Sequence, residues 1–184
     1  LSKTVGKNRF FLEEQIRLRN NISELNALFT DMGYSRKINK NFSAAAIYRP
    51  FWIKDDMHYT LNNLLLLDVD ISLPLNKMEI SYKHRYHAKL RLPDSEVKRS
   101  QYSRNKLEVE FNMNKVKPFI STEWFISLFN TSVYVAEKIR NAVGVSITLS
   151  KHSTLRPQVM YIKDRIAKDY QDMFIIGGGY YYSL

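Results

Sequence analysis

Residues 65–87 read LLLDVDISLPLNKMEISYKHRYH, and their spacing decides the fold class. Leu65, Leu67, Val69, Ile71 and Leu73 alternate with Leu66, Asp68, Asp70 and Ser72. Beyond a break at Pro74-Leu75-Asn76, Met78, Ile80, Tyr82, His84 and Tyr86 alternate with Glu79, Ser81, Lys83, Arg85 and His87. A period of two puts successive side chains on opposite faces of a strand, and a short turn between two such runs predicts an antiparallel hairpin. One face of this hairpin is apolar and the other is charged.

Similar alternation recurs along the chain. It predicts strands near Phe10–Arg19, Leu25–Lys37, Phe42–Arg49, Arg104–Met113, Phe119–Leu128, Ile139–Leu149, Leu155–Ile162 and Met173–Leu184, besides the opening pair. The connections INKN, LPLNK, NKVKP and SKHS are short, whereas 50–58, 90–102, 129–138 and 163–172 are longer. Pro50 and the Lys54-Asp55-Asp56 run are expected to stop pairing in the first long loop, Asn114–Pro118 to turn the chain, and 163–171 to hold a helical turn. About ten segments, each near the roughly 9–11 residues with which a tilted strand crosses a bilayer, predict a single all-β domain over 1–184. Short turns at one end and long loops at the other point to a closed, antiparallel, up-and-down transmembrane β-barrel.

Composition narrows the alternatives. No run of eighteen apolar residues exists among the 184, so a transmembrane helix is excluded. The chain has no Cys, which removes disulfides, thiolate metal sites and thiol nucleophiles. It opens LSKTVGKNRFF without an apolar leader core, and the barrel reading makes this the trimmed form of an exported protein. A net charge of +10 predicts attraction to polyanions, whether nucleic acid, acidic headgroups or lipopolysaccharide phosphates.

The polar face determines which side looks inward. It mixes charges with Gly33, Ala45, Ser72, Ser81, Gly144, Ser146, Gly177 and Gly179, as a confined lumen requires and a solvent face does not. Acids lie near the short turns (Asp68, Asp70, Glu79, Glu110) and bases further up (Arg17, Arg19, Arg49, Lys83, Arg85, Arg104, Lys106, Arg140). With Glu13, Asp31, Glu108, Glu123 and Arg156, they are expected to form a lumen network of paired charges, because buried charges need partners. Tyr34, Phe42, Tyr180 and Tyr182 fall near the short-turn end and Tyr48, Tyr59, Tyr86 and Tyr161 near the other, as two interfacial girdles would. Lys89, Arg91, Lys98, Arg99, Lys163, Arg165 and Lys168 are candidates for contact with lipopolysaccharide phosphates, or are simply solvated charges.

Two resemblances follow. The C-terminal GGGYYYSL resembles the closing-strand signal read by the outer-membrane assembly machinery, with Leu184 where a Phe is usual. The segments RFFLEEQIRLRNN, Ser35–Phe42, Tyr82–Tyr86 and Arg104–Leu107 resemble a family of uncharacterised small β-barrels from the outer membranes of Bacteroidota. That resemblance implies an outer-membrane barrel with periplasmic turns, and no activity.

Catalytic signatures are weak. His84 and His87 have opposite parity and cannot share an ion. His87, Glu79 and Ser81 share a face and could mimic the Ser/His/Glu group of lipid A-modifying barrel hydrolases. That group, however, lies on the lipid side, and Ser81 is six residues, about 20 Å of extended strand, from His87. Gly177-Gly178-Gly179 lacks the Lys and helix of a phosphate loop. The expectation is therefore a non-enzymatic barrel without cofactor or metal, structural or accessory to a larger envelope complex. Its partners are lipid, lipopolysaccharide and other outer-membrane proteins. A narrow small-solute channel is the alternative, and a soluble basic barrel binding nucleic acid a further one. The last rests on Tyr82-Lys83-His84-Arg85-Tyr86, whose aromatics and bases fall on opposite faces.

Overall fold

The computed structural model describes residues 1–19, 23–55, 58–90, 101–128, 138–164 and 171–182. They form one antiparallel sheet of eleven strands in sequence order. β1 (Ser2–Val5), β2 (Asn8–Arg19) and β3 (Glu24–Lys37) are followed by β4 (Phe42–Asp55), β5 (His58–Leu75) and β6 (Met78–Leu90). β7 (Gln101–Phe111), β8 (Val116–Ser127), β9 (Lys138–Thr148), β10 (Ser153–Asp164) and β11 (Gln171–Tyr182) complete it. The sheet curls into a half-barrel. The curl is tight enough for Glu108 on β7 to bond Arg156 on β10 and for Ser146 on β9 to reach Glu110.

The hairpin at residues 65–87 forms as its alternation predicts. Asp68 faces Arg85, Asp70 faces Lys83 and Ile71 faces Tyr82 across the ladder. Asn76 closes the turn with φ 47°, a left-handed conformation that Asn tolerates better than most residues. Asn114 plays the same part, with φ 56°, between β7 and β8.

Four expectations need correction. The proposed loop 50–58 is largely strand: β4 runs on to Asp55 and β5 begins at His58, with Pro50 opposite Asn63. Proline is tolerated because the β3–β4 ladder lapses beside it, with no paired residues between Phe29–Phe51 and Met32–Tyr48. Pro118 does not turn the chain; it lies inside β8 opposite Val145, and the turn is confined to residues 112–115. The short β1 was not expected, because Ser2–Val5 is too brief to show alternation; it hydrogen-bonds the start of β2, and Leu1 and Leu12 exchange two further bonds. Lys163 and Asp164 belong to β10 rather than a helical turn, and 165–170 lie outside the described residues.

Polarity across the sheet is the reverse of a water-soluble domain's. The convex face carries exposed Phe10, Leu12, Met32, Leu65, Leu67, Ile71, Leu107, Ile120, Val143 and Val159. The concave face buries Leu66, Ile47, Phe119 and Ile162 alongside Asp31, Asp68, Arg85, Glu108 and Glu123. Its small residues serve the packing of rings. A Cβ on Gly33 would stand 2.1 Å from the Phe11 ring, and one on Gly144 would meet the Pro157 carbonyl at 2.5 Å and the Phe119 ring at 2.6 Å. Tyr34, Tyr48, Tyr59, Tyr180 and Tyr182 are exposed on the convex face.

Candidate functional site

Strand pairing brings the charges of the concave face into contact. Each β-residue meets a neighbour on both sides, and three registers between β6 and β7 set like against like: Glu79 opposite Glu110, Lys83 opposite Lys106 and Arg85 opposite Arg104. Like charges directly opposite are destabilising. The flanking strands supply the compensation. Asp68 and Asp70 on β5 take Arg85 and Lys83, while Glu123 on β8 takes Arg104.

The Asp68–Arg85 pair is a two-pronged fork: Nε donates to Oδ1 and Nη2 to Oδ2, each at 2.6 Å, with the Asp68 side chain only 2% exposed. Lys83 adds a weaker contact to Asp68 at 3.5 Å and a closer one to Asp70 at 3.0 Å. Asp31 and Arg49 form a second fork, with Nε–Oδ1 2.5 Å and Nη2–Oδ2 2.6 Å. Such planar, charge-assisted pairs fix geometry as well as energy. Glu123 is shared between Arg104 and Arg140, the latter at 3.4 Å. Glu108 is shared between Lys106 at 2.6 Å and Arg156 at 2.5 Å.

Aromatic rings floor the guanidiniums. Arg17 lies 4.3 Å and Arg49 5.5 Å from the Phe29 centroid, Arg140 4.6 Å and Arg104 5.5 Å from that of Phe125, and Arg156 3.9 Å from that of Phe119. A cation over a ring face gains from the ring quadrupole, most where water is excluded.

Most of the network expected from parity is therefore brought together. Glu13 lies opposite Asp31 on this face, yet Glu13, Arg17 and Glu79 make no ion pair among the described residues. Arg19 faces Glu24 in the ladder; its side chain is not described. Parity reasoning missed Lys117, which reaches Glu110 at 3.7 Å, and the pairs Lys54–Glu24 and Lys138–Asp164. Lys117 has the parity of Ser121 and Glu123 and was assigned to a turn; the other two pairs involve strand ends read as loop.

Of the basic residues expected to contact lipopolysaccharide phosphates, two lie among the described residues, and they lie on opposite faces of the sheet. Lys89 sits on the concave face opposite Leu64, and Lys163, opposite Ile139, has the convex parity of Val159 and Tyr161. Arg91, Lys98, Arg99, Arg165 and Lys168 lie outside the described residues. His84 and His87 point to opposite faces, and Tyr82 and Tyr86 are separated from Lys83 and Arg85 in the same way.

The convex face also carries polar groups. Asn105 Oδ1 accepts from Tyr82 Oη at 2.7 Å and lies 2.8 Å from His84 Nδ1, while its Nδ2 donates to Ser103 Oγ at 3.2 Å. Glu14, also convex, accepts from Thr30 Oγ1 at 2.9 Å. These polar side chains satisfy one another locally.

The chain belongs to a family described as "Protein of unknown function (DUF2490)", whose model matches residues 1–172. No curated protein matches it.

Proposed function

From membership of this family of unknown function and from the inverted polarity of the sheet, we propose that the chain is an integral outer-membrane β-barrel of the small Bacteroidota kind that its sequence resembles. It acts without catalysis as a structural or accessory subunit of a larger envelope complex. The observation that carries the reading is the pairing of an exposed apolar convex face with buried ionic forks on the concave one. In water, that arrangement exposes the groups that gain from burial and buries those that pay for it. In lipid, the convex side chains meet hydrocarbon and the charges line a lumen.

Spanning a bilayer requires closure, since an open edge leaves backbone groups unsatisfied in hydrocarbon. The edges fit each other. β1 covers only Asn8–Leu12 of β2, leaving Glu13–Arg19 free, and β11 runs antiparallel to β2. Joining β2 to β11 closes ten long strands, an even number, with β1 as a short flap. Exposure supports this: Phe174 and Ile176 on β11 are 80% and 87% exposed, against 36% for Tyr82 and 38% for Leu107 in mid-sheet.

The reading is tested by expression with an export signal and fractionation of the envelope. The protein is expected in the detergent-soluble outer-membrane fraction and to aggregate when detergent is removed. A monodisperse monomer in plain buffer overturns it.

A further inference from the structure

Among the described residues, charge on the concave face is unevenly matched: Glu13 and Glu79 make no ion pair, and guanidiniums with few carboxylates to share gather at two aromatic rings. Arg17 and Arg49 share the ring of Phe29; Arg104 and Arg140 share the ring of Phe125. These two groups come from β2–β4 and from β7–β9, yet the curl brings Arg17 within electrostatic range of Arg49, Arg104 and Arg140. Carboxylates are unevenly shared among them. Asp31 is held by Arg49, and Glu123 is divided between Arg104 and Arg140. Among the described residues, Arg17 has no carboxylate partner and its guanidinium donates to the Gln15 amide oxygen, at 3.3 Å.

Two polar atoms beside the cluster are also unsatisfied. Arg140 Nε and His87 Nε2 are both buried without a hydrogen-bond partner, and His87 lies within range of Arg49, Arg85 and Arg104. Buried polar atoms without a partner are rare in folded proteins and mark strain or a place for another group; Arg140 Nε is a donor, and His87 Nε2 is a donor or acceptor according to the tautomer. Two pairs of guanidiniums, each over its own ring and linked by the charge that Arg17 feels from the other three, repel, and a bound anion converts that repulsion into attraction. The fixed fork of Arg suits an oxyanion with several acceptor oxygens better than a halide.

We propose that Arg17, Arg49, Arg104 and Arg140 form a binding site for a phosphate-class oxyanion, either free phosphate or the phosphate of a phosphomonoester, on the concave face. The site stands on the curl of the sheet and goes beyond the membrane reading, because it requires no lipid.

Isothermal titration of the full chain in non-ionic detergent, at fixed ionic strength, tests it with inorganic phosphate and with glycerol 3-phosphate. Saturable binding of phosphate is expected, weakened about tenfold in Arg17→Gln, which removes one charge-assisted partner without orphaning a carboxylate. Lys77→Gln, in the turn between β5 and β6, leaves it unchanged. Equal affinity for glycerol 3-phosphate assigns the site to phosphomonoesters, and preference for inorganic phosphate assigns it to the free ion; both support the proposal. Absence of saturable heat with either probe overturns it, as does binding unchanged in both Arg17→Gln and Arg140→Gln. Should a variant not fold, wild-type unfolding decides. Phosphate is expected to raise the midpoint where sodium chloride of equal ionic strength does not, and no difference between the salts overturns the site. A chain soluble without detergent refutes the membrane reading and leaves this titration fully informative.

Discussion

At the scale of single residues, stability is governed by which charges are buried with a partner and which are merely near one. Asp68→Ala removes both acceptors of the Arg85 fork and one contact of Lys83, leaving a guanidinium buried without its counter-ion. Breaking a buried pair from one side costs about 3–5 kcal/mol. Glu79→Gln is the contrast: Glu79 makes no ion pair among the described residues and faces Glu110, so its neutralisation is expected to be neutral or slightly stabilising. Urea unfolding in micelles, followed by fluorescence of Trp52 and Trp124, separates the two; equal effects would show that the fork carries no special weight. Gly144→Val forces a side chain against the Pro157 carbonyl and the Phe119 ring, and is expected to cost 1–3 kcal/mol, roughly the cost of overpacking. Much of this site was legible from parity alone, because a strict period of two places Asp68 and Arg85 on one face. Which acid takes which base was not legible. Glu108 bonds Arg156 three strands away, and only the curl of the sheet supplies that distance.

Turns and ladder gaps govern the elements. Asn76 holds φ 47° between β5 and β6, a conformation that costs an ordinary L-residue about 1–2 kcal/mol. Asn76→Val is expected to lose about that much stability, while Asn76→Gly leaves it within about 0.5 kcal/mol; comparison of their unfolding midpoints checks both. A loss in the glycine variant equal to that in the valine variant would mean the Asn side chain itself, rather than its backbone, holds the turn. The hairpin was readable because its alternation is unbroken on both sides of a short turn. The extension of β4 and β5 was not, because Pro50 is normally a terminator and its harmlessness depends on the lapse in a neighbouring ladder. Pro118 misled for the same reason. β1 escaped notice because its four residues pair only with the start of β2 and with nothing that sequence alone can identify.

For the whole molecule, the decisive question is what covers the convex face and what joins its edges. Leu107 lies mid-strand on that face, between Asn105 and Val109. Arg in its place is expected to cost about 2–4 kcal/mol if lipid surrounds it, and within about 0.5 kcal/mol if water does. Unfolding from lipid vesicles and unfolding in detergent-free buffer are thus expected to rank the variant differently. Edge closure has its own test, and the absence of Cys gives it a clean background. Bridging two cysteines requires Cα atoms about 4.4–6.8 Å apart, so only paired strands qualify. With Ile16→Cys fixed on the free edge of β2, single cysteines are placed in turn at Phe174, Ile175 and Ile176 on β11. At least one pair is expected to oxidise within a single chain, giving a faster-migrating monomer that reverts on reduction. Disulfides formed only between chains would instead mean that the two free edges seek a second copy. In that case the half-barrel is one part of a larger, shared sheet, and the accessory role becomes one of self-assembly.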